Sequence, residues 1–96
     1  MHSVGRDVTL IATGSMLHPT LEAAKALTES GVAVGVIDMH TLKPIDREAI
    51  LNAAAGTNLL ITVEEHNVLG GLGGAVAEVL ADEGAGVRLL RHGIYD

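Results

Sequence analysis

Residues capable of acid–base or anion chemistry are concentrated in two polar turns of the sequence. One turn covers residues 13–18 and the other covers residues 64–74. A histidine beside a carboxylate can act as a general base, and a glycine-rich turn that opens a helix offers backbone N–H groups to an anion. Together the turns define a candidate crevice for an anion or small molecule, made of Gly14, Ser15, Glu65, His66, Gly70, Gly71, Gly73 and Gly74.

The acidic part of the second turn is Glu64-Glu65-His66. Adjacent side chains of an extended chain point to opposite sides, so only one of the two carboxylates can face the crevice with His66. A salt-bridged interface pair is a simpler interpretation than a general base, because no nucleophile or metal-ligand set accompanies it. The pair also lacks a third zinc ligand. We therefore assign no catalytic residue and no metal site.

The glycine turn reads Gly70-Gly-Leu-Gly-Gly-Ala75, a poor match to the dinucleotide-binding fingerprint Gly-x-Gly-x-x-Gly. No acidic residue follows the next strand to hold a ribose, and no phosphate-loop pattern exists. We favour close packing of a helix on a sheet as the reason for these glycines. An anion site is the alternative.

Hydrophobic patterning indicates the elements that position both turns. Short aliphatic runs predict buried strands at residues 7–13, 32–38 and 58–63, and a less apolar run with Arg88 and Arg91 predicts an edge strand at 87–92. Helical spacing predicts helices after residues 15, 46 and 70. Gly35, inside the second strand, indicates close packing.

Capping residues set the helix ends. Gly31 is typical of a residue that closes a helix, and Asp46 is a good N-cap, with Ile45 placed to pack on Ile50. Two starts are open for the first helix. Ser15 can be its N-cap, or His18 and Pro19 can lie in its first turn.

The order β-α-β-α-β-α-β predicts a parallel sheet with helices on both faces, a three-layer α/β/α domain. The first and third strands are the most apolar, so we place them centrally and predict the strand order 2-1-3-4. The switch point of such a doubly wound sheet lies between strands 1 and 3, where both polar turns meet.

Composition excludes several classes of function. The chain has 96 residues, a formal charge of −6 and one aromatic residue, so binding to a nucleic acid is disfavoured. Without cysteine there is no disulfide or thiolate metal site. No apolar run is long enough to cross a membrane, and we expect a cytoplasmic protein. Residues 1–5 are interpreted as an added leader or linker, and residues 6–96 as the domain.

Several segments, in order and spacing, resemble one family. They are Asp7-Val-Thr-Leu-Ile-Ala-Thr-Gly-Ser15, Val36-Ile-Asp-Met-His-Thr-Leu-Lys-Pro-Ile-Asp46, Thr62-Val-Glu-Glu-His-Asn67 and Gly70-Gly-Leu-Gly-Gly-Ala-Val76. This pattern resembles the C-terminal domain of transketolases over residues 6–96. Deoxyxylulose-phosphate synthases and the beta subunits of 2-oxoacid dehydrogenases share the pattern.

The resemblance implies a parent enzyme, a transferase of carbohydrate metabolism that moves a two-carbon ketol unit between sugar phosphates. It implies thiamine diphosphate and Mg in other domains of that enzyme, with no cofactor-binding residue here. It also implies a structural, dimerising or regulatory role, with other transketolase domains or subunits as partners. A free-standing small-molecule binding module and a partner-docking domain of a dehydrogenase subunit or of a deoxyxylulose-phosphate synthase are the alternatives.

Two further expectations follow from that resemblance. The family carries a strand that pairs antiparallel with the sheet edge and continues past the fourth strand, so the chain is interpreted as a fragment. Without that strand, the second strand should expose an unpaired edge. We therefore expect a homo-oligomer, formed through this edge or through the face used in the parent dimer.

Overall fold

The computed structural model describes residues 3–39, 45–65 and 71–94. They form seven main elements and a short 3-10 turn at Gly14–Met16. The strands are β1 (Val8–Thr13), β2 (Val34–Met39), β3 (Leu59–Glu65) and β4 (Arg88–Ile94), and the helices are α1 (Leu17–Glu29), α2 (Arg47–Gly56) and α3 (Gly71–Asp82).

The four strands make one parallel sheet of order β2-β1-β3-β4, which confirms the predicted topology. The switch point lies between β1 and β3, and β4 is an edge strand as expected. The register aligns Leu10 with Ile61 and Ile61 with Leu90, so these three residues form one row across the sheet.

Strand alternation divides the aliphatic residues between the two faces of the sheet. One face carries the larger core, in which strand residues pack against α2 and α3. Its buried members are Ile11, Ile37, Met39, Ile50, Ala53, Leu60, Leu72, Val76, Val79 and Leu80. The other face, under α1, has a smaller core of Ala12, Met16 and Val63. The sheet is therefore packed more completely on the α2 and α3 side.

The ends of α1 confirm one prediction and decide between two alternatives. The amide of Gly31, at φ 91°, donates to the carbonyl of Thr28, and the amide of Val32 donates to the carbonyl of Leu27. This pair of bonds is the Schellman motif that glycine favours. At the start, Met16 occupies the N-cap position without a side-chain cap, so the Ser15 cap is wrong.

Pro19 instead lies in the first turn of α1, the other alternative. That position tolerates proline because the first four N–H groups of a helix have no intrahelical acceptor.

The start of α2 is as the sequence predicts. The carboxylate of Asp46 accepts a 3.0 Å hydrogen bond from the amide of Ala49, which is the expected N-cap geometry. Ile45 packs against the same core cluster that contains Ile50. The cap and the apolar contact together fix the direction in which the chain enters α2.

Residues 3–5 lie along β2 and are bonded to it. The Ser3 amide donates to the carbonyl of Val36 at 2.9 Å, and the Ser3 hydroxyl accepts from the Val36 amide at 3.0 Å. A Cβ on Gly35 would collide with backbone atoms of Ser3, Val4 and Gly5, which confirms the close packing predicted at Gly35.

The prediction of an exposed β2 edge is therefore wrong where Ser3 bonds Val36, and β2 is buried from Gly35 to Met39. Whether residues 1–5 are a leader stays a prediction. Among the described residues, no helix is long and apolar enough to span a membrane.

Candidate functional site

The candidate crevice lies where the 3-10 turn after β1 approaches the end of β3. The Ser15 hydroxyl donates a 2.9 Å hydrogen bond to a carboxylate oxygen of Glu65, joining residues fifty positions apart. The two residues meet because β1 and β3 are parallel neighbours, whose C-terminal ends share one edge of the sheet. The structure thus brings together two of the predicted crevice residues, with Ser15 exposed and Glu65 half-buried.

Glu64 points to the opposite side of the sheet, as strand alternation predicts for neighbouring carboxylates. Its side chain is 2% exposed. One carboxylate oxygen accepts from the Leu72 amide at 2.8 Å, and the other accepts from the Gly73 amide at 3.1 Å. A carboxylate at this place satisfies two amides of the first helical turn and meets the positive end of the helix dipole.

This contact bears directly on the anion interpretation of the glycine turn. Both amides are already bonded within the chain, so an incoming anion would have to displace the buried carboxylate of Glu64. The packing interpretation is supported at Gly73, where a Cβ would lie 2.8 Å from Cδ of Arg91. It is not supported at Gly74, where a Cβ would meet nothing within 4 Å.

Two of the predicted crevice residues, His66 and Gly70, lie outside the described residues. The general-base alternative depends on His66 and stays a prediction. Gly71 is exposed at the start of α3. Glu64 accepts from the amides of the next two residues, Leu72 and Gly73. Ligand binding by the crevice as a whole also stays a prediction.

Sequence reasoning misses the part played by Glu64 and offers this residue only as a possible partner of His66. A usable signal existed. Glu64 is the last residue but one of β3 and lies eight residues before Leu72, in the first turn of α3. Recognising it requires knowing that the glycine turn folds back over the end of β3, which is a tertiary contact.

The described residues do not fit a bound diphosphate and its metal ion. At the start of α3 the amides of Leu72 and Gly73 bond Glu64, a carboxylate that would repel phosphate oxygens. In residues 3–39, 45–65 and 71–94, no group of three or more His, Cys, Asp or Glu side chains could hold a metal ion.

The fold and site define a doubly wound parallel α/β domain with a polar switch point. The chain belongs to the family described as "Transketolase, C-terminal domain", whose model matches residues 1–96.

Curated relatives of the chain carry two kinds of name. This chain is 46% identical over 92 residues to a putative transketolase C-terminal section of Methanocaldococcus jannaschii, and the match covers 96% of this chain and 28% of that protein. It is 52% identical over 93 residues to 1-deoxy-D-xylulose-5-phosphate synthase 1 of Geobacter sulfurreducens, covering 96% of this chain and 15% of that protein. The chain thus spans less than a third of either relative.

Two solved structures share the fold. A split-gene transketolase, described as an inactive beta4 tetramer, superposes with a TM-score of 0.86 at 46% identity. That match covers 100% of this chain and 33% of the other. A 2-oxoglutarate:ferredoxin oxidoreductase from Magnetococcus marinus matches with a TM-score of 0.71 at 20% identity, over 98% of this chain and 15% of the other. The second match shows the fold alone.

Proposed function

We propose that this chain is an accessory domain of a transketolase-type enzyme and is not catalytic by itself. The observation that carries the proposal lies at the start of α3. There the carboxylate of Glu64 accepts hydrogen bonds from the two amides that a phosphate group would need. Family membership and the small share of each relative that the chain spans support the same conclusion. The domain would then serve a structural, dimerising or regulatory role.

The parent enzyme, on this proposal, transfers a two-carbon ketol unit between sugar phosphates in the cytoplasm. Thiamine diphosphate and Mg would be held by its other domains, and this domain would associate with them or with a second subunit. The residues described here contribute packing surfaces and the polar crevice, and no step of the reaction is assigned to them.

Calorimetric titration of the 96-residue chain with thiamine diphosphate and Mg tests the proposal. We expect no heat of binding up to millimolar cofactor. Binding with a micromolar Kd would overturn it. A Glu64→Gln variant titrated in parallel, with its fold checked by circular dichroism, shows whether removing the charge and freeing one of the two α3 amides creates affinity that the native chain lacks.

The second candidate is the same accessory role in a deoxyxylulose-phosphate synthase. The observation in its favour is the 52% identity to the Geobacter sulfurreducens enzyme, against 46% to the Methanocaldococcus jannaschii protein. Exchanging this domain into the Geobacter sulfurreducens enzyme, and measuring product formation with the native enzyme as the control, tests this candidate. Loss of product formation in a folded exchange variant would count against it.

The crevice as a weak anion site is tested separately by amide chemical shifts during titration with phosphate or sulfate. Shifts confined to Gly14, Ser15, Glu65, His66, Gly70, Gly71, Gly73 and Gly74 would support it. An unchanged spectrum in this region would rule out the crevice as an anion site.

A further inference from the structure

Residues 3–5, which we call the latch, lie along the outer side of the edge strand β2. The latch is held by its backbone and by two hydroxyl groups. Ser3 bonds Val36 through its amide and its hydroxyl. The amide of Gly5 donates a 3.0 Å hydrogen bond to Oγ1 of the buried Thr9, and the same hydroxyl donates to the Gly5 carbonyl. The latch therefore joins β2 to β1 through only three residues.

The fit between Gly5 and Gly35 decides whether the latch can lie in this position. A Cβ on Gly5 would collide with backbone atoms of Gly35 and Val34, and a Cβ on Gly35 would collide with backbone atoms of the latch. Gly5 does not have a positive φ, so its backbone conformation is open to other residues. Space alone therefore requires glycine at position 5.

The strand that the latch covers is well suited to pairing with another extended chain. Residues 32–37 read Val-Ala-Val-Gly-Val-Ile and contain no charge and no proline. Val36 directs its amide and its carbonyl away from β1, toward Ser3. An apolar edge strand with unpaired backbone groups is a site of strand-to-strand association. The latch removes this site by bonding Val36.

The latch can open without disrupting the rest of the sheet. The hydrogen-bonded registers of β1 with β2 and of β1 with β3 do not include residues 3–5. Val4 is 45% exposed, so the middle of the latch buries little apolar surface. A segment with few buried contacts opens locally at a lower free energy than the whole domain.

We propose that the latch is a conformational device that controls access to the edge of β2. When it is closed, the outer backbone groups of Val36 are bonded and β2 does not pair further. When it opens, β2 pairs with the same strand of another open chain. This pairing is separate from any oligomer of the closed chain, and the proposal does not depend on the accessory role.

Releasing the latch by substitution is the first test. Gly5→Val cannot be accommodated against Gly35, and we expect the 96-residue chain to form thioflavin T-positive assemblies at least about tenfold faster than the native chain. Gly86→Val is the matched control, because a Cβ at Gly86 meets nothing within 4 Å. Far-UV circular dichroism before assembly establishes that both variants fold.

A charge on the edge strand separates opening of the latch from a general loss of stability. Adding Val34→Lys to Gly5→Val should slow assembly again by about tenfold, because lysine on an edge strand opposes pairing. A chain that assembles through global unfolding gains nothing from this lysine.

A disulfide that holds the latch closed is the second test. Cγ1 of Val4 lies 3.1 Å from the position of a Cβ on Gly56. That separation matches the roughly 3 Å between a sulfur and the opposite Cβ of a disulfide. The chain has no cysteine, so Val4→Cys with Gly56→Cys creates a single pair. The oxidised form should assemble at least about fivefold more slowly than the reduced form of the same variant.

Equal rates for Gly5→Val and Gly86→Val overturn the proposal, and so do equal rates for the oxidised and reduced forms. If Gly5→Val does not fold, the oxidised and reduced pair decides alone, with Val34→Lys added to the reduced form. A disulfide that slows assembly while Val34→Lys does not would act by stabilising the whole domain, which also overturns the proposal. None of these results changes the cofactor titration.

Discussion

The beginnings of α1 and α3 lie at the same edge of the sheet and are built in opposite ways. α1 follows the 3-10 turn directly, and the amide of its first residue, Leu17, donates to the carbonyl of Gly14, so no side chain caps it. α3 begins at the exposed Gly71, and the amides of the buried Leu72 and Gly73 bond the buried carboxylate of Glu64. The first amides of a helix have no acceptor within the helix and need one from elsewhere when they are buried. The two helices thus obtain that acceptor differently, α1 from a backbone carbonyl and α3 from a side chain.

The strongest test of this comparison removes the α3 cap. Glu64→Ala leaves two buried amides without an acceptor, and each costs about 1–3 kcal/mol, so we expect a loss of about 3 kcal/mol in the free energy of unfolding. Urea denaturation followed by far-UV circular dichroism measures it. A loss below 1 kcal/mol would mean that water replaces the carboxylate.

An exposed cap offers the intermediate case. Asp46→Ala removes one hydrogen bond at the exposed start of α2, and we expect a loss of about 1 kcal/mol by the same measurement. Asp46→Asn is the control because it keeps an acceptor, and it should lose less. Equal losses in the two variants would assign the effect to charge rather than to the cap.

Two glycines of α3 sharpen the comparison by separating packing from capping. Gly74→Ala places a Cβ in open space and removes backbone freedom from the unfolded chain, so it should stabilise by about 0.5–1 kcal/mol. Gly73→Ala gains the same helix propensity but must displace Arg91, so its stability should be lower than that of Gly74→Ala. Equal melting temperatures would show that Arg91 moves without cost.

The smallest effect is expected at the start of α1. Ser15→Ala removes an exposed hydrogen bond to Glu65 and no helix cap, so the free energy of unfolding should change by less than about 0.5 kcal/mol. A loss above 1 kcal/mol would show that the Ser15–Glu65 bond holds the crevice together. Glu65→Gln, which keeps an acceptor for Ser15, would then be expected to lose less.

Local signals in the sequence were enough for the elements and their order. Short aliphatic runs predicted the strands and helical spacing predicted the helices, while Gly31 and Asp46 indicated helix ends through bonds within a few residues of themselves. The predictions that failed concern contacts between residues that are far apart in the sequence. Ser15 has the chemistry of a cap, but its hydroxyl bonds a residue fifty positions away.

The role of Glu64 and the covering of β2 by Ser3 depend equally on contacts that form only when the sheet assembles. Of the candidate crevice, the sequence predicted where Ser15 and Glu65 would meet but not the bond between them.

The contact between Ser3 and Val36 has a consequence for backbone amide exchange. The Val36 amide hydrogen is held by a serine hydroxyl of the terminal segment rather than by a neighbouring strand. Its exchange with deuterium therefore requires only that residues 3–5 lift away, whereas amides in central β1 exchange through larger openings of the sheet. The Val36 amide is thus a single-residue reporter of how firmly the start of the chain is held against the domain.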